Sequence, residues 1–339
     1  MNKDDISKIK VLLSTPKKIV IVPHKNPDGD AIGSTLGLYH YLLNYNHDAC
    51  IIAPNDYPEF LKWMPNEASI LNYDTQTESC NTIINQADII FTLDFNALNR
   101  TGNMESVLAQ NNSIKIMIDH HQQPDDYAHY MYSDVKMSST CEMVYNFIDF
   151  LDDTSKIDSN IATCLYTGIM TDTGSFRFKS TTSNTHKIIA NLIDNGAQNS
   201  EIHNAIYDTN SFNRLQLLGR ALSNLKVLPE FNTAYITLSQ EELISFNFKK
   251  GDTEGFVNYA LSLEHIIFAA IFIEDQNQNI IKISLRSKGE FSVNAFSRIN
   301  FEGGGHTNAA GGRSELSLNE TVEKFISILP RYKTALNNE

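Results

Sequence analysis

The first regular pattern in the chain is Lys18-Ile19-Val20-Ile21-Val22, a β-branched run of strand length. It stops at Pro23-His24-Lys25-Asn26-Pro27-Asp28-Gly29-Asp30, after which Leu36, Tyr39, His40 and Leu43 recur at helical spacing. Three further apolar runs follow at Ala49–Ala53, Asp88–Leu93 and Ile114–Ile118, with helical or irregular stretches between them. Strands separated by helical patterns predict a mostly parallel sheet flanked by helices. Functional side chains of such sheets gather beyond the carboxyl ends of strands. The residues after the first, third and fourth runs are therefore the places to look.

Helical patterns dominate from Ser139 to about Leu225, and the Asn-rich stretch from Asn191 to Asn224 reads as a helical connector. From Lys226 the pattern changes. A strand at Thr233–Leu238 leads to a helix from Ser239 and another near Thr253–Leu261. A hairpin, Ile266–Ile273 with Ile280–Leu285, turns around Asp275–Asn279. A helix near Val293–Ile299, a Gly-rich turn at Gly303-Gly304-Gly305-His306 and an amphipathic helix from Leu318 complete the pattern. The predicted class is α/β: an N-terminal domain with a mostly parallel sheet over residues 1–190, a helical connector over 191–224, and a smaller α/β domain with a mixed sheet over 225–339. No internal repeat or low-complexity tract interrupts it.

Composition narrows the partners. At 339 residues two domains are the expectation. The 27 Lys and Arg against 40 Asp and Glu give a net charge of −13. That field opposes long duplex nucleic acid and anionic membrane, because both require many basic contacts. Most of the excess lies early: residues 1–190 hold 14 basic and 23 acidic side chains, a net of −9. Cys50, Cys80, Cys141 and Cys164 are too scattered for a thiolate metal site or a disulfide framework. The longest apolar run, Ile266 to Ile273, is far short of the roughly 20 residues of a membrane span. A soluble, cytoplasmic setting is expected.

The candidate chemistry sits at strand ends. His24-x-Asn26-Pro27-Asp28-Gly29-Asp30 sets two carboxylates on a turn, where ordinary helix capping is the competing explanation. Leu93-Asp94-Phe95-Asn96 ends the third run, and Asp94 too would serve as a cap. Ile118-Asp119-His120-His121 ends the fourth, and two adjacent imidazoles do not hide easily in a core. Asp172 closes an apolar helical stretch, where a lone buried carboxylate is costly. One sheet edge would collect most of these groups, and so many carboxylates repel one another unless cations sit among them. Carboxylate and imidazole ligands without thiolate suit two divalent ions, Mn²⁺ favoured over Mg²⁺ by the histidines. Two such ions about 4 Å apart are a standard device for attack on phosphorus.

These motifs, in this order, resemble those of the DHH phosphoesterases. Gly303-Gly304-Gly305-His306, followed by Ala309-Ala310-Gly311-Gly312, resembles the signature of their associated C-terminal domain. Length and layout are most similar to the nanoRNase group, the oligoribonucleases and pAp phosphatases. The resemblance implies that His24 and Asp28 bind one metal, that Asp30, His120 and Asp172 bind the other, and that Asp94 bridges them. It assigns His121 to the scissile phosphate or leaving group and Asp119 to orienting the ligands.

For the C-terminal domain, Arg286 offers a two-pronged phosphate contact beside Ser287. The backbone of Gly303, Gly304 and Gly305, with His306, forms a candidate anion site. A plain tight turn is the alternative. Ser138-Ser139-Thr140 reads as a helix cap more readily than as a second phosphate contact. The function expected is hydrolysis of short single-stranded oligonucleotides or nucleotide bisphosphates such as pAp by two-metal activated-water attack. A cyclic-dinucleotide phosphodiesterase and a non-catalytic nucleotide-binding module are the alternatives, and a homodimer is left open.

Overall fold

The computed structural model of the chain describes residues 1–337. It divides into two compact units, Met1–Thr209 and Asn210–Glu339, and the division falls inside the stretch read as a connector. In the first unit the strands are β1 (Lys18–Val22), β2 (Asp48–Ala53), β3 (Leu71–Asn72), β4 (Ile89–Leu93), β5 (Ile114–Asp119) and β6 (Tyr130–Ser133). Its helices are α1 (Lys3–Leu12), α2 (Gly29–Leu43), α3 (Thr77–Asn85), α4 (Glu105–Gln110), α5 (Thr140–Phe150), α6 (Ser159–Asp172), α7 (Ser183–Asp194) and α8 (Asn199–Tyr207).

The six strands form one sheet in the order β3-β2-β1-β4-β5-β6, and every pairing is parallel. The expected parallel sheet is present, with two strands more than the apolar runs indicated. Leu71–Asn72 is too short to show a period, and Tyr130–Ser133 is a half-buried edge strand with no apolar run. Alternation sends Ile19, Ile21, Phe91, Leu93, Ile116 and Ile118 into a core under α2, α5 and α6. Val20, Val22, Ile52 and Ile90 point the other way, onto Cys80, Ile84 and Leu108 of α3 and α4. Strand order reverses direction between β1 and β4, so the crevice beyond their carboxyl ends is the binding position of the fold.

One close approach aligns the helices that border that crevice. α2 runs antiparallel to α6: Gly29 lies against Thr171, Gly33 against Cys164 and Gly168, and Gly37 against Leu165. A Cβ on Gly33 would stand 2.6 Å from the carbonyl oxygen of Cys164 and 3.1 Å from the amide of Gly168. Only a residue without a side chain permits this spacing, and it sets the start of α2 beside the end of α6.

The second unit carries β7 (Lys226–Leu228), β8 (Thr233–Leu238), β9 (Phe268–Asp275), β10 (Ile280–Ser287), β11 (Gly304–His306) and β12 (Ala309–Ser314). With them are α9 (Phe212–Ser223), α10 (Gln240–Ser245), α11 (Phe256–Leu261), α12 (Val293–Asn300), α13 (Leu318–Ile328) and α14 (Lys333–Asn337). Its sheet, in the order β11-β12-β10-β9-β8-β7, is mixed: β8 and β9 pair in parallel and the others antiparallel. One face packs Phe268, Phe272 and Leu285 on Phe296 and Phe325. The other packs Ile236 and Ile271 on Leu217, Leu243 and Phe256.

The Gly-rich segment read as a turn is a correction. Gly304–His306 is an edge strand, and the turn itself is Thr307-Asn308. Near-continuous glycine masks a strand because it supplies neither side-chain alternation nor β propensity.

A methyl group at position 33 tests the close approach of α2 and α6. Gly33→Ala is expected to lower unfolding stability by about 1–3 kcal/mol, the usual cost of overpacking. Urea denaturation followed by circular dichroism measures it, and an unchanged midpoint would show that the contact has slack.

Candidate metal centre

Asp28 is the N-cap of α2: its Oδ1 accepts from the amides of Asp30 and Ala31, each at 3.1 Å. The capping explanation is therefore correct for one oxygen, yet the same carboxylate faces His24, whose Nε2 lies 3.9 Å from Asp28 Oδ1 and 3.4 Å from Asp94 Oδ2. The His24 Nδ1 lies 2.9 Å from the carbonyl of Lys25. A carbonyl only accepts, so Nδ1 carries a proton, and Nε2 is the nitrogen left to face the carboxylates.

His120 repeats the device. Its Nδ1 is 3.2 Å from the carbonyl of Met137, and its Nε2 is 3.7 Å from Asp30, 3.5 Å from Asp94 Oδ1 and 3.6 Å from Asp172. Ligand atoms of His24, Asp28 and Asp94 thus converge on one point, and those of Asp30, His120 and Asp172 on another, within 4.8 Å of one another in each set. Asp94 turns Oδ2 towards the first and Oδ1 towards the second. Its backbone holds φ at +66°, a left-handed conformation that costs a non-glycine residue about 1 kcal/mol or more and persists at functional sites. Asp119, fully buried, lies 2.7 Å through Oδ1 from His121 Nδ1. Among the described residues its second oxygen, Oδ2, has no hydrogen-bond partner.

Thr140 and Cys141 join this site although the sequence reading placed no ligand contact there. Ser139 caps α5 by accepting from the Glu142 amide at 3.0 Å, as the capping reading proposed. The next two amides then donate to Asp30: Thr140 at 2.6 Å and Cys141 at 2.8 Å. The Thr140 hydroxyl donates to Asp94 Oδ1 at 2.9 Å. The positive end of α5 thereby favours charge on Asp30. The signal was present as a Ser-Ser-Thr helix start, but nothing in spacing indicated that it faced carboxylates from elsewhere in the chain.

The electrostatics are those of a crowded anionic pocket. Burial, then the charges of Asp94 and Asp172, hold the Asp30 carboxyl well above its ordinary range. Asp172, at the negative end of α6, is pushed up to about 6, chiefly by burial. Burial also opposes charge on Asp94, but the imidazoles of His120 and His24 outweigh it and hold that carboxyl well below its usual value. For both histidines burial works against protonation, and the carboxylates still raise them. Without cations the pocket relieves its repulsion by holding protons. The donor set and its tautomers fit divalent cations in their place.

In the second unit Arg286 lies on β10 opposite Ala269 and Ala309, half-buried, with Nη1 donating to the Leu285 carbonyl at 3.0 Å. The hydroxyl of the buried Ser287 donates to the Phe291 carbonyl at 2.6 Å and accepts from Asn308 at 2.9 Å, so its contacts are internal. A Cβ on Gly303 would stand 1.9 Å from the Gly311 carbonyl, which makes close strand packing its evident requirement. Gly304, Gly305 and His306 form β11, paired with Ala309–Gly311.

With sheet and pocket described, the class follows. The N-terminal domain of the DHH family matches residues 18–169, and the DHHA1 domain matches residues 232–333. The chain belongs to the DHH family. It is 42% identical to an exopolyphosphatase-related protein from Bacteroides fragilis, whose crystal structure superposes with a TM-score of 0.94 over 99% of this chain and 98% of that one. It is 29% identical over 319 residues to the bifunctional oligoribonuclease and PAP phosphatase NrnA of Thermus thermophilus, covering 94% of this chain and 90% of the relative. The NrnA of Bacillus subtilis is 28% identical over 297 residues, 86% of this chain and 88% of that one.

The Thr140 hydroxyl is open to a direct test. Thr140→Val keeps the shape and removes the bond to Asp94. Affinity for Mn²⁺, read by isothermal titration, is expected to fall about 10- to 100-fold, the usual cost of losing a partner of a ligand. Unchanged affinity would reduce Thr140 to a packing residue.

Proposed function

We propose that this chain is a divalent-metal phosphoesterase hydrolysing short single-stranded oligonucleotides and nucleotide bisphosphates such as pAp to mononucleotides. The observation that carries the reading is Asp94, with one oxygen turned to the His24 and Asp28 set and the other to the His120, Asp30 and Asp172 set. The names of the NrnA relatives support the substrate class. The net charge of −13 disfavours long polyanions. Among the described residues no helix is long and apolar enough to cross a membrane, and a cytoplasmic setting belongs to the same proposal.

Each side chain then has a task. His24 and Asp28 hold one cation, Asp30, His120 and Asp172 hold the second, and Asp94 is shared. When bound, the cations supply an activated water and take up charge developing on phosphate. Imidazole among the ligands favours Mn²⁺ over Mg²⁺. Asp119 accepts from His121 Nδ1–H and so fixes the tautomer that turns Nε2 to the phosphate or leaving group. Hydrogen bonds from α5 keep Asp30 oriented. In the C-terminal unit Arg286 and His306, with the amides of Gly303, Gly304 and Gly305, are assigned to a substrate phosphate. Ser287 supports that strand end from within.

An assay with Mn²⁺ compares pAp, a 5′-phosphorylated dinucleotide, a long single strand, a cyclic dinucleotide, pyrophosphate and polyphosphate. The first two are expected to turn over fastest; preference for any other would overturn the substrate class. Asp94→Ala is expected to lose about a hundredfold or more in rate with an unchanged circular dichroism spectrum. Normal turnover by that variant contradicts the shared-ligand assignment. Arg286→Ala is expected to raise KM about tenfold for pAp and leave Mn²⁺ affinity as it was, and an unmoved KM removes Arg286 from the substrate site.

A further inference from the structure

The rim of the carboxylate pocket carries two cations that none of its acids engages. Lys25 follows His24, and Arg100 lies in the short helical segment Leu98–Met104 after the Asp94 strand end. The Lys25 amide donates to the Arg100 carbonyl at 2.7 Å. On the other side Asn26 and Asn55 clamp the loop reciprocally: the Asn26 amide donates to Asn55 Oδ1 at 2.7 Å, and Asn55 Nδ2 donates to Asn26 Oδ1 at 2.8 Å. The backbone between them is thereby fixed on both flanks. The Lys25 stem lies along Gly102, at φ +60°, where a Cβ would stand 2.9 Å from Lys25 Cδ and 3.6 Å from Nζ.

Among the described residues neither the Lys25 ammonium nor the Arg100 guanidinium makes a hydrogen bond or ion pair. That is unusual for an arginine whose backbone is tied to the loop carrying His24 and Asp28, because guanidinium pairs readily with carboxylate. The backbone bond to Lys25 holds Arg100 beside the residue that follows His24. Half-buried and without an ion pair among the described residues, its guanidinium is available to an anionic group. With two divalent ions in place the five aspartates would be nearly neutralised, and the rim cations would leave the margin positive.

We propose that Arg100 and Lys25 form a phosphate-binding subsite of the N-terminal unit, which takes a second, non-reacting phosphate of the substrate. The subsite rests on the phosphoesterase reading and extends it. It makes a doubly phosphorylated short substrate better than a singly phosphorylated one, because only the former spans both the cations of the pocket and those of its rim. Arg100, planar and half-buried, makes the two-pronged contact, and the exposed Lys25 adds a point charge.

Steady-state kinetics of Arg100→Ala and Lys25→Ala on one dinucleotide with and without its 5′-phosphate test this, alongside Mn²⁺ titration calorimetry. Arg100→Ala is expected to raise KM about tenfold or more for the phosphorylated dinucleotide and about twofold at most for the other, with Mn²⁺ affinity unmoved. Lys25→Ala is expected to do the same more weakly, and Arg100→Lys to recover part of the loss. Equal losses on both substrates would overturn the subsite, since the guanidinium would then serve the scissile phosphate. Lost Mn²⁺ binding would overturn it too, as a structural role. A wild-type chain that hydrolyses neither dinucleotide overturns the phosphoesterase reading and the subsite together. Wild-type turnover with an unmoved KM in Arg100→Ala overturns the subsite alone.

Discussion

Carboxylates that converge on a buried pocket repel one another, and that repulsion governs the rest of the N-terminal unit. Two like charges 4 Å apart oppose each other by about 4 kcal/mol even at an effective dielectric near 20. Asp30 and Asp94 are almost fully excluded from solvent, and both approach His120 Nε2. The protein tolerates this arrangement in two ways. The carboxyls of Asp30 and Asp172 are raised and give up their protons less readily, and the carboxylates raise His120 so that it takes up a proton more readily. Fixed donors, the α5 amides and the Thr140 hydroxyl, stabilise the remainder. Neither is as effective as divalent cations, and with Nδ1 of His24 and His120 committed to a carbonyl, each Nε2 offers a lone pair to a cation once its proton leaves.

The scaffold exists to bring those groups together. A parallel sheet whose strand order reverses between β1 and β4 delivers His24 and Asp94 side by side, and β5 adds Asp119 and His120. Asp172 comes from a helix end, where a carboxylate is disfavoured, and arrives only because α2 and α6 pack backbone to backbone at Gly33. Packing precision and metal affinity are therefore linked: a shift of α6 moves Asp172 relative to Asp30. The −13 balance acquires a local meaning as well, since part of the acidity is the wall of this pocket.

Much of this was legible in the chain. The β-branched runs marked the central strands, and the carboxylates and histidines at their ends marked the crevice, because strand ends in a parallel sheet share one edge. What remained hidden depends on contacts distant in sequence. Thr140 looks like part of a helix cap, and only the fold shows that its hydroxyl meets Asp94 across 46 positions. Edge strands β3 and β6 bury too little apolar surface to leave a periodic mark. The glycines at 304 and 305 form a strand without any strand-like side chain, and Ser287 is bonded internally in a way its neighbours in sequence do not reveal. Arg100 stands outside the motifs, and its significance comes from a guanidinium without a partner, among the described residues, on the backbone tied to the His24 loop.

The central claim is that the aspartates and histidines form two cation sites sharing Asp94. Titration of the metal-free chain with Mn²⁺, followed by calorimetry in buffers of different ionisation enthalpy, tests it without reference to any substrate. The account predicts two ions bound per chain with release of protons, and a weakening of both sites in Asp94→Asn. A single site, no proton release, or a stoichiometry of two that Asp94→Asn leaves untouched would contradict it.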